Sequence, residues 1–138
     1  MAGIIIHLVP ITKFDWSGQA GSTTVTVVLA DYIDLSQWKE GQLIARLHTG
    51  TSIGTGASAS LGLYGIDPAF DDPTQVFESG LLHAAAISLG PSTASMSMDL
   101  LVTPFGLMGR LKLTMTQPAT PVAAVMYLSV DLVLKTDG

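Results

Sequence analysis

The strongest constraint on this chain is an alternation of apolar and polar residues with a period of two. In residues 124–135 one set of alternate positions reads Ala, Met, Leu, Val, Leu, Leu, and the other reads Val, Tyr, Ser, Asp, Val, Lys. Successive side chains of a β-strand point to opposite faces of the sheet, so this segment predicts a strand with one buried and one solvated face. Residues 110–116 alternate in the same way, with Leu111, Leu113 and Met115 predicted to face inward.

Other segments predict further strands. Residues 22–29 are rich in Thr and Val, which favour a pleated surface, and residues 42–49 place Leu43, Ala45 and Leu47 on one face. We also predict strands at 2–9, 57–65, 81–89 and 95–103. Residues 81–87 have the composition of a short helix as well, but the Gly and Pro residues on both sides leave only a strand-length run.

These patterns together predict the fold class. About eight strands, with turns every dozen residues and no long helical pattern, indicate an all-β fold. We predict a single-domain antiparallel β-sandwich or jelly roll over residues 1–138, with at most one short helical turn, at residues 34–38, capped by Asp34 or Ser36. The Gly-, Ser- and Thr-rich residues 49–60 predict a hairpin loop that leads into a strand.

The chain carries few charges for its surface. Six Lys and Arg and eleven Asp and Glu make up 12% of its residues, whereas about 25% is usual in soluble domains. A folded monomer of this mass exposes about 6,800 Å² by the scaling of surface with mass, or roughly one charge per 400 Å². We therefore expect part of the surface to be covered by copies of the chain or by a larger assembly.

The same composition excludes several classes of function. The net charge is −5 and the six cationic residues are scattered, so neither a nucleic-acid surface nor a polybasic membrane patch is expected. The uncharged segments 47–66 and 113–130 contain too many Gly, Ser, Thr or Pro residues for a transmembrane helix. Residues 1–7 predict no secretory signal. The absence of cysteine excludes disulfides and thiolate metal sites.

Few residues suggest metal or cofactor chemistry. The acidic loop with Asp67, Asp71 and Asp72 is the best candidate for a cation, but its spacing fits no EF-hand, and Asp-Pro pairs are ordinary turn formers. The three histidines are not at chelating spacing. We predict no metal site and no cofactor.

No residue pattern indicates catalysis. The chain has no G-x-S-x-G elbow, and no pair of carboxylates can be placed together from sequence. We therefore predict that it is not an enzyme. Trp16, Trp38 and Tyr64 are compatible with a carbohydrate-binding module, in which exposed aromatic rings stack on sugars, with a cation on the acidic loop.

Four segments of the chain, taken together, show a resemblance. Residues 31–38, 42–48, 67–74 and 127–135 resemble the head decoration or auxiliary capsid proteins of tailed phages, which have a jelly-roll-like β-sandwich. The resemblance implies oligomers, often trimers, bound at lattice points of a capsid. It implies no catalytic residue.

The first hypothesis for function is a non-enzymatic phage virion structural protein. It would self-associate, with a trimer favoured, and would decorate or stabilise the capsid through the major capsid protein or other virion proteins. Its location would be the virion, assembled in the host cytoplasm. The alternative is a carbohydrate-binding β-sandwich module.

Large or cationic residues near strand ends and loops are the predicted interface positions, since aromatics and Arg concentrate at interface centres. Their burial in the core is an equally good interpretation. They are Trp38, Arg46, His48, Phe70, Phe77 and Phe105.

Overall fold

The structure is a computed structural model that describes residues 3–35, 38, 40–66, 78–81, 87–89, 94–99 and 108–135. These residues form ten strand segments: β1 (Gly3–Asp15), β2 (Thr24–Asp34), β3 (Glu40–Leu47), β4 (Ser52–Ile53), β5 (Ser58–Ile66), β6 (Glu78–Leu81), β7 (Ile87–Leu89), β8 (Ala94–Asp99), β9 (Met108–Thr116) and β10 (Ala124–Lys135). The described part of the chain contains no helix that could cross a membrane. The all-β prediction is confirmed.

The period-two segments form the central strands with the predicted faces. Leu111 and Leu113 of β9 are fully buried, and Met115 is nearly so. In β10 the alternate positions on the apolar face are all 0% exposed: Ala124, Met126, Leu128, Val130, Leu132 and Leu134. Their neighbours on the opposite face are half-buried, except the exposed Lys135. The alternation therefore identified which face of each central strand is buried.

The strands form two antiparallel sheets. Sheet A has the order β1-β10-β3-β8, and sheet B has the order β2-β9-β5-β6. The short strand β4 continues the pairing of β3 along the same edge of β10, so β3 and β4 are one strand interrupted at residues 48–51. In the same way β6 and β7 pair with successive parts of β5.

Joining the interrupted strands gives the topology of a jelly roll. The described chain then has eight strands, which lie in the orders 1-8-3-6 and 2-7-4-5 in the two sheets. Most connections pass from one sheet to the other, as in a double Greek key. The prediction of a β-sandwich or jelly roll of about eight strands is confirmed.

The hairpin predicted at residues 49–60 is wrong. The short β4 in this segment belongs to sheet A, and β5, which follows it, belongs to sheet B. The backbone N–H of Gly54 donates to the carbonyl of Ala123 at 2.8 Å, so the chain follows β10 up to that residue. Gly56 then adopts a φ of 92°, a left-handed conformation that suits glycine, and the chain turns towards the other sheet.

Apolar side chains from both sheets form one core. Leu43 and Ala45 of sheet A and Leu61 and Leu63 of sheet B are in the same buried cluster as the apolar faces of β9 and β10. Because each sheet buries only one face, the opposite faces are available to solvent or to other molecules.

A buried glutamine joins the turns at one end of the sandwich. The Gln117 side chain donates from Nε2 to the carbonyls of Trp16 (2.9 Å) and Val122 (2.8 Å). Its Oε1 accepts a hydrogen bond from the backbone N–H of Val122 at 3.0 Å. One polar side chain thus satisfies three backbone groups where the β9–β10 turn leaves the sheets.

The predicted helical turn at residues 34–38 is described only in part. The backbone N–H of Trp38 donates to the carbonyl of Leu35 at 3.1 Å, which is a turn-type hydrogen bond. Residues 36 and 37 lie outside the described residues, as do residues 82–86, where a short helix was the alternative to a strand.

Replacing one core leucine tests the predicted faces of β10. We expect Leu132→Ala to lower the free energy of unfolding by about 2–5 kcal/mol, because it leaves a cavity in the core. The neighbouring Val133→Ala, on the outer face, is the matched control and should cost less than about 1 kcal/mol. Equilibrium urea unfolding measures both; equal losses would contradict the assignment of the faces.

Candidate interface surfaces

A polar cluster crosses three strands on the outer face of sheet A. His7 Nδ1 of β1 lies 2.7 Å from Asp131 Oδ1 of β10. Arg46 Nη1 of β3 lies 3.6 Å from the other carboxylate oxygen of Asp131. The side chains of His7 and Arg46 are 79% and 51% exposed, so this cluster is accessible to a partner. Exposed pairs of this kind contribute little to stability, about 0–1 kcal/mol.

The second histidine of this face lies where β3 is interrupted. The His48 side chain is half-buried, and its Nε2 lies 2.7 Å from Ser129 Oγ. Its backbone N–H donates to the Tyr127 carbonyl at 2.8 Å, and Thr51 Oγ1 accepts from the Tyr127 N–H at 3.0 Å. Gly50, with a φ of 102°, completes the turn. Side chains and backbone of β10 therefore hold the interruption in place.

The predicted interface residues fall into three groups. Arg46 and His48 lie on the outer face of sheet A, as described above. Trp38 is partly buried and packs against the core. Phe70, Phe77 and Phe105 lie outside the described residues, and so do the cation candidates Asp67, Asp71 and Asp72. The interface role of all six positions stays a prediction.

The aromatic residues proposed for sugar binding are largely covered. Trp16 is 3% exposed, and its Nε1 donates to the Thr116 carbonyl at 3.2 Å. The ring of Tyr64 is half-buried under the ammonium of Lys112, whose Nζ lies 4.1 Å from the ring centroid. Stacking on a sugar needs an open ring face, which Trp16 does not offer.

The exposed large hydrophobic residues lie on two strands. Within the described residues, the six that are exposed are Ile4, Ile5 and Ile11 of β1 and Val25, Val28 and Tyr32 of β2. Their exposed fractions run from 42% to 62%. Strand β1 lies at one border of sheet A and β2 at one border of sheet B, and the two strands contact each other. We call these six residues the apolar edge.

The position of these strands explains the exposure. A strand at the border of a sheet has a neighbour on one side only, so its side chains are covered less than those of a central strand. By the pairing register, Ile4 lies opposite the buried Leu134 and Val25 lies opposite the nearly buried Met115. Even these inward positions remain accessible at the edge. In the sequence, this exposure is indicated by the run of three isoleucines at residues 4–6, which places apolar side chains on both faces of the strand.

A partly buried ion pair shapes the β2 side of the apolar edge. Arg110 donates from Nε and Nη2 to the two carboxylate oxygens of Asp31, at 3.1 and 2.9 Å. Asp31 lies in the irregular part of β2 between Ala30 and Ile33, where Tyr32 has a φ of 53°. The ion pair thus stabilises the irregularity that directs Tyr32 to the surface. Sequence reasoning missed it because the two residues are far apart in the chain.

One carboxylate at the end of β1 has a perturbed acidity. The backbone N–H of Ser17 donates to Asp15 Oδ1 at 3.0 Å, and this hydrogen bond lowers the pKa of Asp15. Across the described ranges, no group of three or more His, Asp or Glu residues is placed to hold a metal ion.

Comparison with known proteins gives a likeness of fold. No protein-family model matches the chain, and no curated protein matches it. Among solved structures, it is similar to a chain in the structure of infectious bursal disease virus, Gx strain, with a TM-score of 0.55 and 15% sequence identity. This match covers 96% of the present chain and 31% of the viral chain. The Gt strain gives a TM-score of 0.53 and 18% identity over 99% of this chain and 32% of that chain.

The chain therefore spans about a third of the length of the viral chains it matches. At this identity the likeness shows the fold alone, a β-sandwich. It identifies no shared residue of a site.

Replacing Gly50 tests the turn that interrupts β3. A Cβ at this position would lie 2.8 Å from Tyr127 Cε2, in a backbone conformation that disfavours side chains. We expect Gly50→Ala to cost about 1–3 kcal/mol of unfolding free energy. The control is Gly18→Ala, since a Cβ there meets nothing within 4 Å. A loss no larger than that of the control in urea unfolding would contradict this role.

A double-mutant cycle tests the ion pair behind Tyr32. Arg110→Met, Asp31→Asn and the double variant should give a coupling energy of about 0.5–3 kcal/mol, because the bidentate pair is partly shielded from water. Urea unfolding of the four proteins measures it. Additive losses in the double variant would show that the two residues do not act as a pair.

Proposed function

We propose that this chain is a non-enzymatic structural protein of a tailed-phage virion. It self-associates, with a trimer favoured, and decorates or stabilises the capsid by binding the major capsid protein or another virion protein. It acts in the particle after assembly in the host cytoplasm.

The observation that carries the proposal is an apolar edge on a jelly roll. Jelly rolls occur in viral capsids but also in lectins and cupins, so the fold alone does not select a function. The fold likeness to virus structures favours the first of these classes. The six exposed apolar side chains of β1 and β2 leave apolar area in water that contact with another subunit would cover.

The low charge of the chain supports the same proposal. Only 12% of the residues are charged, and no basic stripe accompanies them. Such a surface fits contact with protein better than contact with packaged nucleic acid. The carbohydrate alternative has lost support, because Trp16 is buried and Trp38 packs against the core.

Particle composition tests the proposed function. Phage particles should be purified on a density gradient from the host that carries this gene, and then analysed by quantitative mass spectrometry. We expect the chain at a constant ratio to the major capsid protein, and gold-labelled antibody against it on the head. Its absence from intact particles, with all of it in the soluble fraction, would contradict the virion role.

The solution mass tests the self-association. Sedimentation velocity between about 1 and 100 μM should show a species of about three times the chain mass of 14.4 kDa. We expect it because a free subunit would leave the apolar edge in water. A monomer at every concentration would contradict self-association without bearing on particle composition.

A further inference from the structure

We infer that Tyr32 is the anchor residue of the contact between this chain and the capsid, an inference that rests on the proposed attachment to the virion. Its phenol ring enters a pocket of a capsid protein that has apolar walls and a hydrogen-bonding group for the hydroxyl. The fold itself does not need this ring, yet it holds the ring outward in one fixed position.

Tyr32 is the aromatic side chain that the fold leaves in water. It is 51% exposed, whereas the other aromatic side chains in the described part of the chain are buried or half-buried. These others are Phe14, Trp16, Trp38, Tyr64 and Tyr127. Among the described residues, neither the core cluster nor the partly buried side chains packed against it include Tyr32. The fold therefore gains little from the ring.

The backbone at Tyr32 is strained. Its φ of 53° lies in the left-handed region, which is uncommon for residues other than Gly, Asn and Asp and is unfavourable for a bulky side chain. Within the described ranges Ser22, in an exposed turn, is the other residue besides glycine with a positive φ. An asparagine at position 32 would relieve the strain. Folding alone therefore does not explain the tyrosine, and strain of this kind is a reason to look for a function.

A bulge and a shielded ion pair fix the strained conformation. Strand β2 holds one more residue between Ala30 and Ile33 than β9 holds between their partners, and such bulges re-aim side chains. The Asp31 carboxylate accepts the backbone N–H of Tyr32 at 3.0 Å and also both hydrogen bonds from Arg110. The Arg110 side chain is only 11% exposed. Because the backbone is held before any contact forms, Tyr32 loses less conformational freedom on binding.

The chemistry around Tyr32 indicates the kind of partner. Tyrosine combines an apolar ring with one hydroxyl, and it is enriched among the residues that dominate binding between proteins. Arg110 neutralises Asp31 beside the ring, so the partner needs no cationic group at that point. Asp31 and Asp34 flank Tyr32 in the chain and disfavour a polyanion. An uncharged pocket of a capsid protein fits these properties.

Binding to particles that lack the chain gives the first test. The particles are purified from a phage in which this gene is inactivated, and the bound chain is measured by co-sedimentation. We expect Tyr32→Asn to weaken the apparent dissociation constant at least ten-fold, and Tyr32→Phe to weaken it less because it keeps the ring. Val28→Thr removes apolar area at another exposed position of β2 and should stay within two-fold.

Urea unfolding separates an anchor from a structural residue. Asparagine tolerates the left-handed conformation, so Tyr32→Asn should keep or raise the unfolding midpoint, as should Ser22→Asn at the other strained position. Only Tyr32→Asn should lose binding. A lower midpoint for Tyr32→Asn alone would show that the fold uses the ring and would overturn the inference.

Arg110 is inferred to be a positioning residue that acts through Tyr32. Arg110→Met should weaken binding to the particles by less than Tyr32→Asn does. In the Tyr32→Asn background the same substitution should cause no further loss, because the ring that it positions is already absent. An equal loss in both backgrounds would overturn this positioning role.

The outcomes separate the inference from the proposed function. Binding that Tyr32→Asn retains at the wild-type level would overturn the anchor and leave the proposed attachment intact, whereas a wild-type chain that does not bind the particles would overturn both. In sedimentation velocity Tyr32→Asn should keep the wild-type mass. A fall in that mass would place the ring in a contact between copies and overturn its assignment to the capsid.

Competition inside the cell replaces the first test if particles do not form without this gene. Wild-type chain and a tagged variant are then produced together, and mass spectrometry compares their ratio in particles with that in the soluble fraction. We expect Tyr32→Asn to be depleted from particles at least three-fold and tagged Val28→Thr to be incorporated like the wild type. Equal incorporation of both variants would overturn the inference.

Discussion

The structure depends on the burial of one face of its two central strands. Each alternate side chain of β10 from Ala124 to Leu134 is closed to water, and Leu111 and Leu113 of β9 meet them across the core. At about 25 cal/mol per Å² of apolar surface, this layer is the main favourable term that holds the two sheets together. The neighbouring strands of both sheets take their register from these two, because each pairs directly with β9 or β10 or with a strand that does.

The same arrangement creates the apolar edge. With β9 and β10 in central positions, β1 and β2 become the outermost strands, on adjoining sides of the sandwich. Their branched apolar residues are then covered from one side only. A low proportion of charged residues leaves few polar groups to replace them at the surface. Ile5 of the edge lies on the same outer face of sheet A as the polar cluster around Asp131, because Ile5 pairs with Val133 and His7 pairs with Asp131.

The surface features that the fold presents within the described residues are the apolar edge and the polar cluster around Asp131. Within the described residues, the jelly roll brings no three His, Asp or Glu side chains together in a group that could hold a metal ion. It holds Tyr32 outward through the Arg110–Asp31 pair and holds His48 and Arg46 on one outer face. The virus structures that share its fold are matched over about a third of their chains.

The amino-acid sequence alone determined the strand character, the buried faces of residues 110–116 and 124–135, and the scarcity of charge, because alternation and composition are local properties. The tertiary structure decided three further points. It made β1 and β2 edge strands, it buried Trp16 beneath the turns, and it carried residues 49–60 from one sheet to the other instead of into a hairpin. These features depend on pairing between distant segments, such as β1 with β10, and a period of two cannot specify which strand pairs with which.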